Sequence, residues 1–220
     1  MYQAILFDLD GTLIDSADDL GAALNHVLHL HKRPLVCESL YRTQASNGTL
    51  ALLKLGFGEA WHTFEQDKIT LLREQFLAFY RKNLWVKSAL YPDVVKLISL
   101  LEREHIPWSI VTNKPTYLTE PLIEKIRIFN ACENIVCGDT LTKSKPHPDP
   151  LLHSCTAMSV NPKQCLYIGD DERDIVAGKR AHMYTAVAKW GYLNGSAIEN
   201  WQADYIFDSC RSLIDHISSD

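Results

Sequence analysis

Short apolar runs alternate with amphipathic helical patterns over most of the chain. The apolar runs are bounded by glycine or polar residues and predict buried strands at 2–6, 108–112, 135–138, 165–169, 184–188 and 204–207. Apolar residues at spacings of three and four predict helices at 94–101, 117–126, 150–158 and 171–182, with a short amphipathic helix after Phe207. Because strands and helices alternate, we predict an α/β fold with a mainly parallel sheet that is covered on both faces.

Residues 16–84 follow a different pattern, with helical spacing and no strand candidate. Ser16 is a favourable N-cap residue, and the apolar stripe after it extends towards Pro34. Helical spacing returns at 49–55 and 64–82. We therefore predict two domains, an α/β core formed by residues 1–15 and 85–220 and a small all-helical domain, residues 16–84, inserted after the first strand.

The bulk composition argues against several classes of protein. The 220 residues carry 22 Lys and Arg against 27 Asp and Glu, a net charge of −5, and this balance is not that of a nucleic-acid-binding protein. No apolar window approaches the ~18 residues of a membrane helix, and the start lacks the features of a secretory signal. The six cysteines form no Cys-x-x-Cys pair, so we expect free thiols and a cytoplasmic protein.

Polar side chains follow the early strands of the predicted sheet. In chain order they are Asp8 and Asp10, Thr112, Lys145, and Asp170 with Asp174. Because the carboxyl ends of parallel strands meet at one edge of a sheet, these groups can converge. Four carboxylates in one pocket repel each other without a counter-cation, and Mg²⁺ is the divalent ion that suits such oxygen ligands. A lysine and a threonine hydroxyl nearby can hold phosphate oxygens, so the set favours phosphoryl transfer to a carboxylate.

Four segments resemble, in order, the four motifs of the haloacid dehalogenase superfamily. They are Asp8-Leu9-Asp10-Gly11-Thr12-Leu13-Ile14-Asp15-Ser16, Thr112-Asn113-Lys114, Lys145-Pro146-His147-Pro148-Asp149-Pro150 and Gly169-Asp170-Asp171-Glu172-Arg173-Asp174. Together they span nearly the whole chain, which makes the resemblance far more specific than any single motif. It implies a Rossmann-like core and a Mg²⁺-dependent phosphatase.

The resemblance also implies a role for each matched residue. Asp8 would attack phosphorus and form an aspartyl-phosphate, while Asp10 would protonate the leaving oxygen and then deprotonate the hydrolytic water. Thr112 would bind the phosphoryl group, and Lys145 would offset negative charge. The ligands of Mg²⁺ would be Asp8, the backbone carbonyl of Asp10, Asp170 and Asp174, with Asp171 as the alternative to Asp174.

The helical insert resembles the small cap of this superfamily, a module that closes over the site and contributes to specificity. We predict that Arg42, Asn47 and Gly48 of the insert and Asn113 of the core bind the substrate. For Arg42, an ordinary surface charge is an equal alternative. Within the superfamily the chain resembles bacterial phosphoglycolate phosphatases, and 108–115, 138–141 and 190–192 also resemble phosphatases of N-acetylmuramic acid 6-phosphate. The shared motifs do not separate these two substrates.

Three other functions use related residues. A dehalogenase has the same nucleophile but no use for the acid at Asp10. A sugar phosphomutase keeps both acids and stays an alternative, although the insert shows no clear signature for it. A signalling receiver domain has its acidic pair early in a chain about half as long, whereas here the acidic cluster comes last. As partners we expect a small phosphorylated metabolite, no nucleic acid and no membrane, and the protein is expected to be a monomer or a dimer.

Overall fold

The structure is a computed structural model of the chain, and it describes residues 2–193, 195 and 197–219. The chain divides into two compact units. The first extends to Ile14 and resumes at Leu90, and the second is Asp15–Ala89. The sequence pattern predicts a core of residues 1–15 and 85–220 with an insert of residues 16–84, so its second boundary lies five residues before the one in the structure.

The first unit contains a parallel sheet of six strands. They are β1 (Ala4–Phe7), β4 (Trp108–Val111), β5 (Asn134–Val136), β6 (Cys165–Gly169), β7 (Tyr184–Ala188) and β8 (Tyr205–Phe207), in the spatial order β5-β4-β1-β6-β7-β8. Every residue of β1, β4 and β6 is buried. Because successive side chains of a strand point to opposite faces, both faces of the sheet are covered at its centre, as predicted.

Four helices of this unit lie between these strands along the chain, and a fifth follows the last strand. They are α5 (Val94–Arg103), α6 (Thr116–Ile123), α7 (Asp149–Ala157), α8 (Glu172–Arg180) and α9 (Cys210–Ser219). In α5 the apolar residues Val94, Leu97, Ile98 and Leu101 are all buried, which is the face that their spacing predicts. Because all six strands are parallel, their carboxyl ends lie at one edge of the sheet.

The second unit is helical. Its helices are α1 (Ala17–Leu30), α2 (Glu38–Tyr41), α3 (Gly48–Phe57) and α4 (Gln66–Lys82). The stripe Leu20, Leu24, Val27 and Leu28 of α1 is buried, and α1 packs against α3 and α4. Two short strands, β2 (Ile14–Asp15) and β3 (Ala89–Leu90), pair with each other where the chain passes between the units.

Most of the predicted elements are present, although the bounds of several differ from those predicted. The strands β6 and β7 have the predicted bounds, whereas α1 ends at Leu30 rather than near Pro34. The strands β2 and β3 were not predicted, because two-residue strands carry no periodic pattern. Pro121 lies inside α6, beyond the first turn, where a proline removes one backbone hydrogen bond of the helix. None of the helices that the structure describes combines the length and the apolar character needed to span a membrane.

The return segment of the second unit is tied to α1 by one buried carboxylate. Asp19 accepts hydrogen bonds from the backbone N–H groups of Val86, Lys87 and Ser88 at 3.0, 2.9 and 3.0 Å, and from the Ser88 hydroxyl at 2.5 Å. The residue is 2% exposed. Four donors therefore depend on a single side chain that water cannot readily replace.

We predict that Asp19→Asn lowers the free energy of unfolding by about 2–3 kcal/mol, because an amide nitrogen would face backbone donors and leave at least one unsatisfied. Urea denaturation measures the change, and hydrogen exchange at residues 86–88 should accelerate. Asp67→Asn is the control, since Asp67 is an exposed acid in the first turn of α4. An equal loss of unfolding free energy in the two variants would contradict this role of Asp19.

Candidate functional site

Three strands end beside one another at the carboxyl edge of the first unit's sheet. Asp8 directly follows β1, Thr112 follows β4 and Asp170 follows β6. Since β1 lies between β4 and β6, the residue Asp8 occupies the middle of the edge. Lys145 comes from the segment between β5 and α7, and Asp174 lies in the first turn of α8. These predicted site residues therefore lie at one edge of the sheet in the first unit.

Three carboxylates and one ammonium form the centre of the site. Asp8, Asp170 and Asp174 each offer an oxygen within 4.8 Å of those of the other two. The Nζ of Lys145 lies 2.8 Å from an oxygen of Asp8 and 2.8 Å from an oxygen of Asp174. Fully ionised, this group carries two net negative charges, so the donor set fits a hard divalent cation such as Mg²⁺.

Burial and like charge shift the ionisation of this group. Burial, together with the charge of Asp174, raises the pKa of Asp8 to about 6 even though Lys145 opposes the shift. Burial and the charges of Asp8 and Asp174 raise the pKa of Asp170 well above its usual range. Burial lowers the pKa of the Lys145 ammonium, but the charges of Asp174 and Asp8 outweigh this effect and raise the pKa overall. Like charges held together in this way are characteristic of functional sites.

Asp170 is held in place by groups that the sequence analysis did not assign. The Thr12 hydroxyl donates to its Oδ1 at 3.3 Å, and the backbone N–H of Tyr192 donates to its Oδ2 at 2.8 Å. A Cβ at Gly11 would lie 2.1 Å from Oδ2 of Asp170, and one at Gly191 would lie 2.3 Å from its Cβ. The two glycines thus allow the backbone to approach this carboxylate closely.

Asp10 lies outside the acidic cluster and has its own cation. The Nζ of Lys114 lies 3.0 and 3.2 Å from the two carboxylate oxygens of Asp10, and the lysine side chain is 6% exposed. The backbone N–H of Lys114 donates to the Thr112 hydroxyl oxygen at 3.1 Å. Lys114 therefore connects the second motif to the second acid of the first, a role that its position after Thr112 could have suggested.

The side-chain amide of Asn113 forms hydrogen bonds within the protein. Its Nδ2 donates to the carbonyl of Lys145 at 2.9 Å, and the backbone N–H of Lys145 donates to its Oδ1 at 3.0 Å. Both ends of the amide therefore hold the main chain of Lys145. That Asn113 also binds the substrate stays a prediction.

The two acids that follow Asp170 have different surroundings. Asp174 belongs to the acidic cluster, and its Oδ2 accepts a hydrogen bond from the backbone N–H of Asp171 at 3.2 Å. Asp171 caps α8 and accepts hydrogen bonds from the backbone and side chain of Arg173 at 2.9 and 2.8 Å. Burial raises the pKa of Asp171, but the Arg173 contacts outweigh it and lower that pKa overall.

The remaining predicted residues belong to the second unit. The guanidinium of Arg42 pairs with Asp15, with Asp18 at 3.2 Å and with Glu38 at 3.6 Å. Asn47 donates to the side-chain oxygen of Gln44 at 3.1 Å. Gly48 has a φ of 76°, a backbone conformation that favours glycine. Arg42 is thus held by carboxylates of its own unit.

Comparison with known proteins identifies relatives over nearly the whole chain. A sequence model described as haloacid dehalogenase-like hydrolase matches residues 5–188. An N-acetylmuramic acid 6-phosphate phosphatase of Pseudomonas aeruginosa is 36% identical over 97% of this chain and 93% of its own. A phosphoglycolate phosphatase of Xanthomonas campestris pv. campestris is 38% identical over 96% and 94%. The crystal structure of a predicted phosphoglycolate phosphatase from Haemophilus somnus 129pt matches with a TM-score of 0.89 at 30% identity, covering 98% of each chain.

The raised pKa of Asp8 predicts a pH-dependent stability without divalent cations. Between pH 3.8, the ordinary pKa of an aspartate, and about pH 6, Asp8 is protonated in the folded protein but ionised in the unfolded chain. Its contribution to the free energy of unfolding is therefore lost as the pH rises. In EDTA, we expect the free energy of unfolding of Asp8→Asn relative to that of the wild type to be higher at about pH 7.5 than at about pH 4.5. Urea denaturation at both pH values measures this difference.

Asp139→Asn is the matched control for this measurement. The hydrogen bonds from Thr116 lower the pKa of Asp139 below 3.8, so that its ionisation does not change over the same pH interval. The stability difference between wild type and this variant should stay constant. A constant difference for Asp8→Asn as well would contradict the raised pKa.

Proposed function

We propose that this chain, which belongs to the haloacid dehalogenase-like hydrolase family and is a phosphatase, hydrolyses a small phosphomonoester through a phosphorylated Asp8. The observation that carries the proposal is the contact of Lys145 with Asp8 inside the acidic cluster, with Asp10 two residues further on. A carboxylate nucleophile needs a fixed orientation and a nearby acid. The contact with Lys145 supports the first, and Asp10 would supply the second.

The first step is the attack of an Asp8 carboxylate oxygen on phosphorus. The bond between phosphorus and the ester oxygen breaks, and Asp10 donates a proton to that oxygen as it leaves. In the second step Asp10 takes a proton from water, whose oxygen attacks the same phosphorus and releases phosphate and free Asp8. Thr112 binds the phosphoryl group, a role that its buried position and its hydrogen bond to the Lys114 backbone support.

Asp8, Asp170 and Asp174, with the backbone carbonyl of Asp10, would hold Mg²⁺. When bound, the ion stabilises the negative charge of the transferring phosphoryl oxygens. The protein contributes the fixed orientation of these ligands, of which Asp170 depends on Thr12 and Tyr192. Outer contacts of this kind commonly set the affinity for a metal ion.

The helical unit serves as the cap of the family in this proposal, and Arg42, Asn47 and Gly48 are its candidates for substrate selectivity. The most favoured substrate is 2-phosphoglycolate, with N-acetylmuramic acid 6-phosphate as the second candidate. Relatives named for each activity match the chain at 38% and 36% identity. The six cysteines are free, which supports a place in the reducing cytoplasm of a bacterium.

We predict that the protein hydrolyses p-nitrophenyl phosphate in the presence of Mg²⁺ and that EDTA abolishes the reaction. Asp8→Asn should lower kcat by about 10⁴-fold or more, because the amide is not a nucleophile. Glu172→Gln is the control, since Glu172 is an exposed acid at the start of α8. Absence of turnover with any divalent ion, or substantial activity of Asp8→Asn, would overturn the proposal.

A panel of phosphomonoesters tests the choice of substrate. We expect the kcat/KM for 2-phosphoglycolate to exceed that for N-acetylmuramic acid 6-phosphate and for hexose phosphates by about tenfold or more, the difference that ~1.4 kcal/mol of transition-state binding provides. The reverse ranking would select the second candidate. Conversion of a hexose phosphate into its isomer without release of phosphate would indicate a phosphomutase.

A further inference from the structure

The ammonium of Lys145 has three oxygen neighbours. Besides Asp8 and Asp174 at 2.8 Å each, it lies 2.7 Å from the hydroxyl oxygen of Tyr167. An ammonium group has three N–H donors, so these three acceptors can take all of them. The side chain of Lys145 is 3% exposed. Removing any one acceptor would therefore leave a buried donor of a charged group without a partner.

The surroundings of Tyr167 allow its hydroxyl oxygen to accept a hydrogen bond from Lys145. It lies on β6 and is fully buried, and its hydroxyl is 3.0 Å from the carbonyl oxygen of Val111 and 3.0 Å from an oxygen of Asp174. The single hydroxyl proton can be donated to either oxygen, which leaves a lone pair for Lys145. Val111 belongs to β4, so the Tyr167 side chain reaches across the intervening strand β1.

We propose that Tyr167 is a positioning residue that holds the Lys145 ammonium between Asp8 and Asp174. It accepts the third N–H of Lys145, so that the other two remain directed at the nucleophile and at the third member of the acidic cluster. Asn113 holds the main chain of the same lysine, and Tyr167 holds its charged end. The inference rests on the proposed function and adds to it a residue outside the four motifs.

A different role for Tyr167 would be that of a buried polar group that only stabilises the sheet. Such a group affects folding but has no reason to act through Lys145. The two roles differ in whether the effect of removing the hydroxyl depends on the presence of the lysine. A double-mutant cycle measures that dependence directly.

The first test is Tyr167→Phe, which removes the hydroxyl and keeps the ring. We expect kcat for p-nitrophenyl phosphate to fall about 10–100-fold with KM changed less than about threefold, the size of effect typical when a supporting contact to a site is lost. Ser109→Ala is the matched control, because it removes a buried hydroxyl of β4 that bonds Ser154 at 2.7 Å. A kcat for Tyr167→Phe within about twofold of wild type would overturn the proposal.

The second test places Tyr167→Phe in a Lys145→Met background. There we expect less than a twofold further change in kcat, because the lysine through which Tyr167 acts is absent. An equal loss in both backgrounds would overturn the proposal. If Lys145→Met does not fold, Lys145→Arg provides the background, and the loss from Tyr167→Phe should again differ from that in wild type.

Crystal structures of wild type and Tyr167→Phe decide the same point without any measurement of activity. We expect the Lys145 ammonium to leave at least one of the two carboxylates in the variant. Unchanged contacts to both Asp8 and Asp174 would overturn the proposal. Absence of phosphatase activity in the wild type would instead refute the proposed function, while the structures would still decide the role of Tyr167.

Discussion

The organisation of the site depends on one lysine placed among like charges. Asp8, Asp170 and Asp174 lie together in a buried region, where mutual repulsion and loss of hydration both oppose ionisation. Lys145 contacts two of the three and offsets part of that cost. A buried ion pair stabilises only if its geometry is good and its remaining donors are satisfied. Tyr167 meets that condition, because its hydroxyl oxygen accepts the third N–H of the ammonium.

The parallel sheet explains why so many distant residues can serve one centre. Asp8 extends from β1, and the neighbouring strands β4 and β6 bring Thr112 and Asp170 to the same edge. Burial of every side chain on these three strands makes the edge rigid. Asp8 and Asp170 thus follow strands that are buried throughout, and repulsion within the acidic cluster cannot easily be relieved by movement of this backbone.

Residues that directly follow strands could be placed together from the sequence, because an apolar run reveals a strand and parallel strands share an edge. Asp8, Thr112 and Asp170 are of this kind, and the bounds of β6 were predicted without error. Tyr167 could not be found in this way, since a tyrosine inside an apolar run resembles any core residue. Its partner Val111 is 56 positions away in the chain, and only the folded sheet reveals the contact.

Arg42 shows why residue type alone does not establish a substrate contact. An arginine in a predicted cap suggests an anion site, yet its guanidinium already pairs with Asp15, Asp18 and Glu38. An anionic substrate would have to compete with these carboxylates. The arginine side chain is 31% exposed, so solvent screens the existing pairs and each contributes little. Together the three carboxylates hold the guanidinium in one orientation within its own unit, which is what both a substrate-binding and a purely structural arginine require.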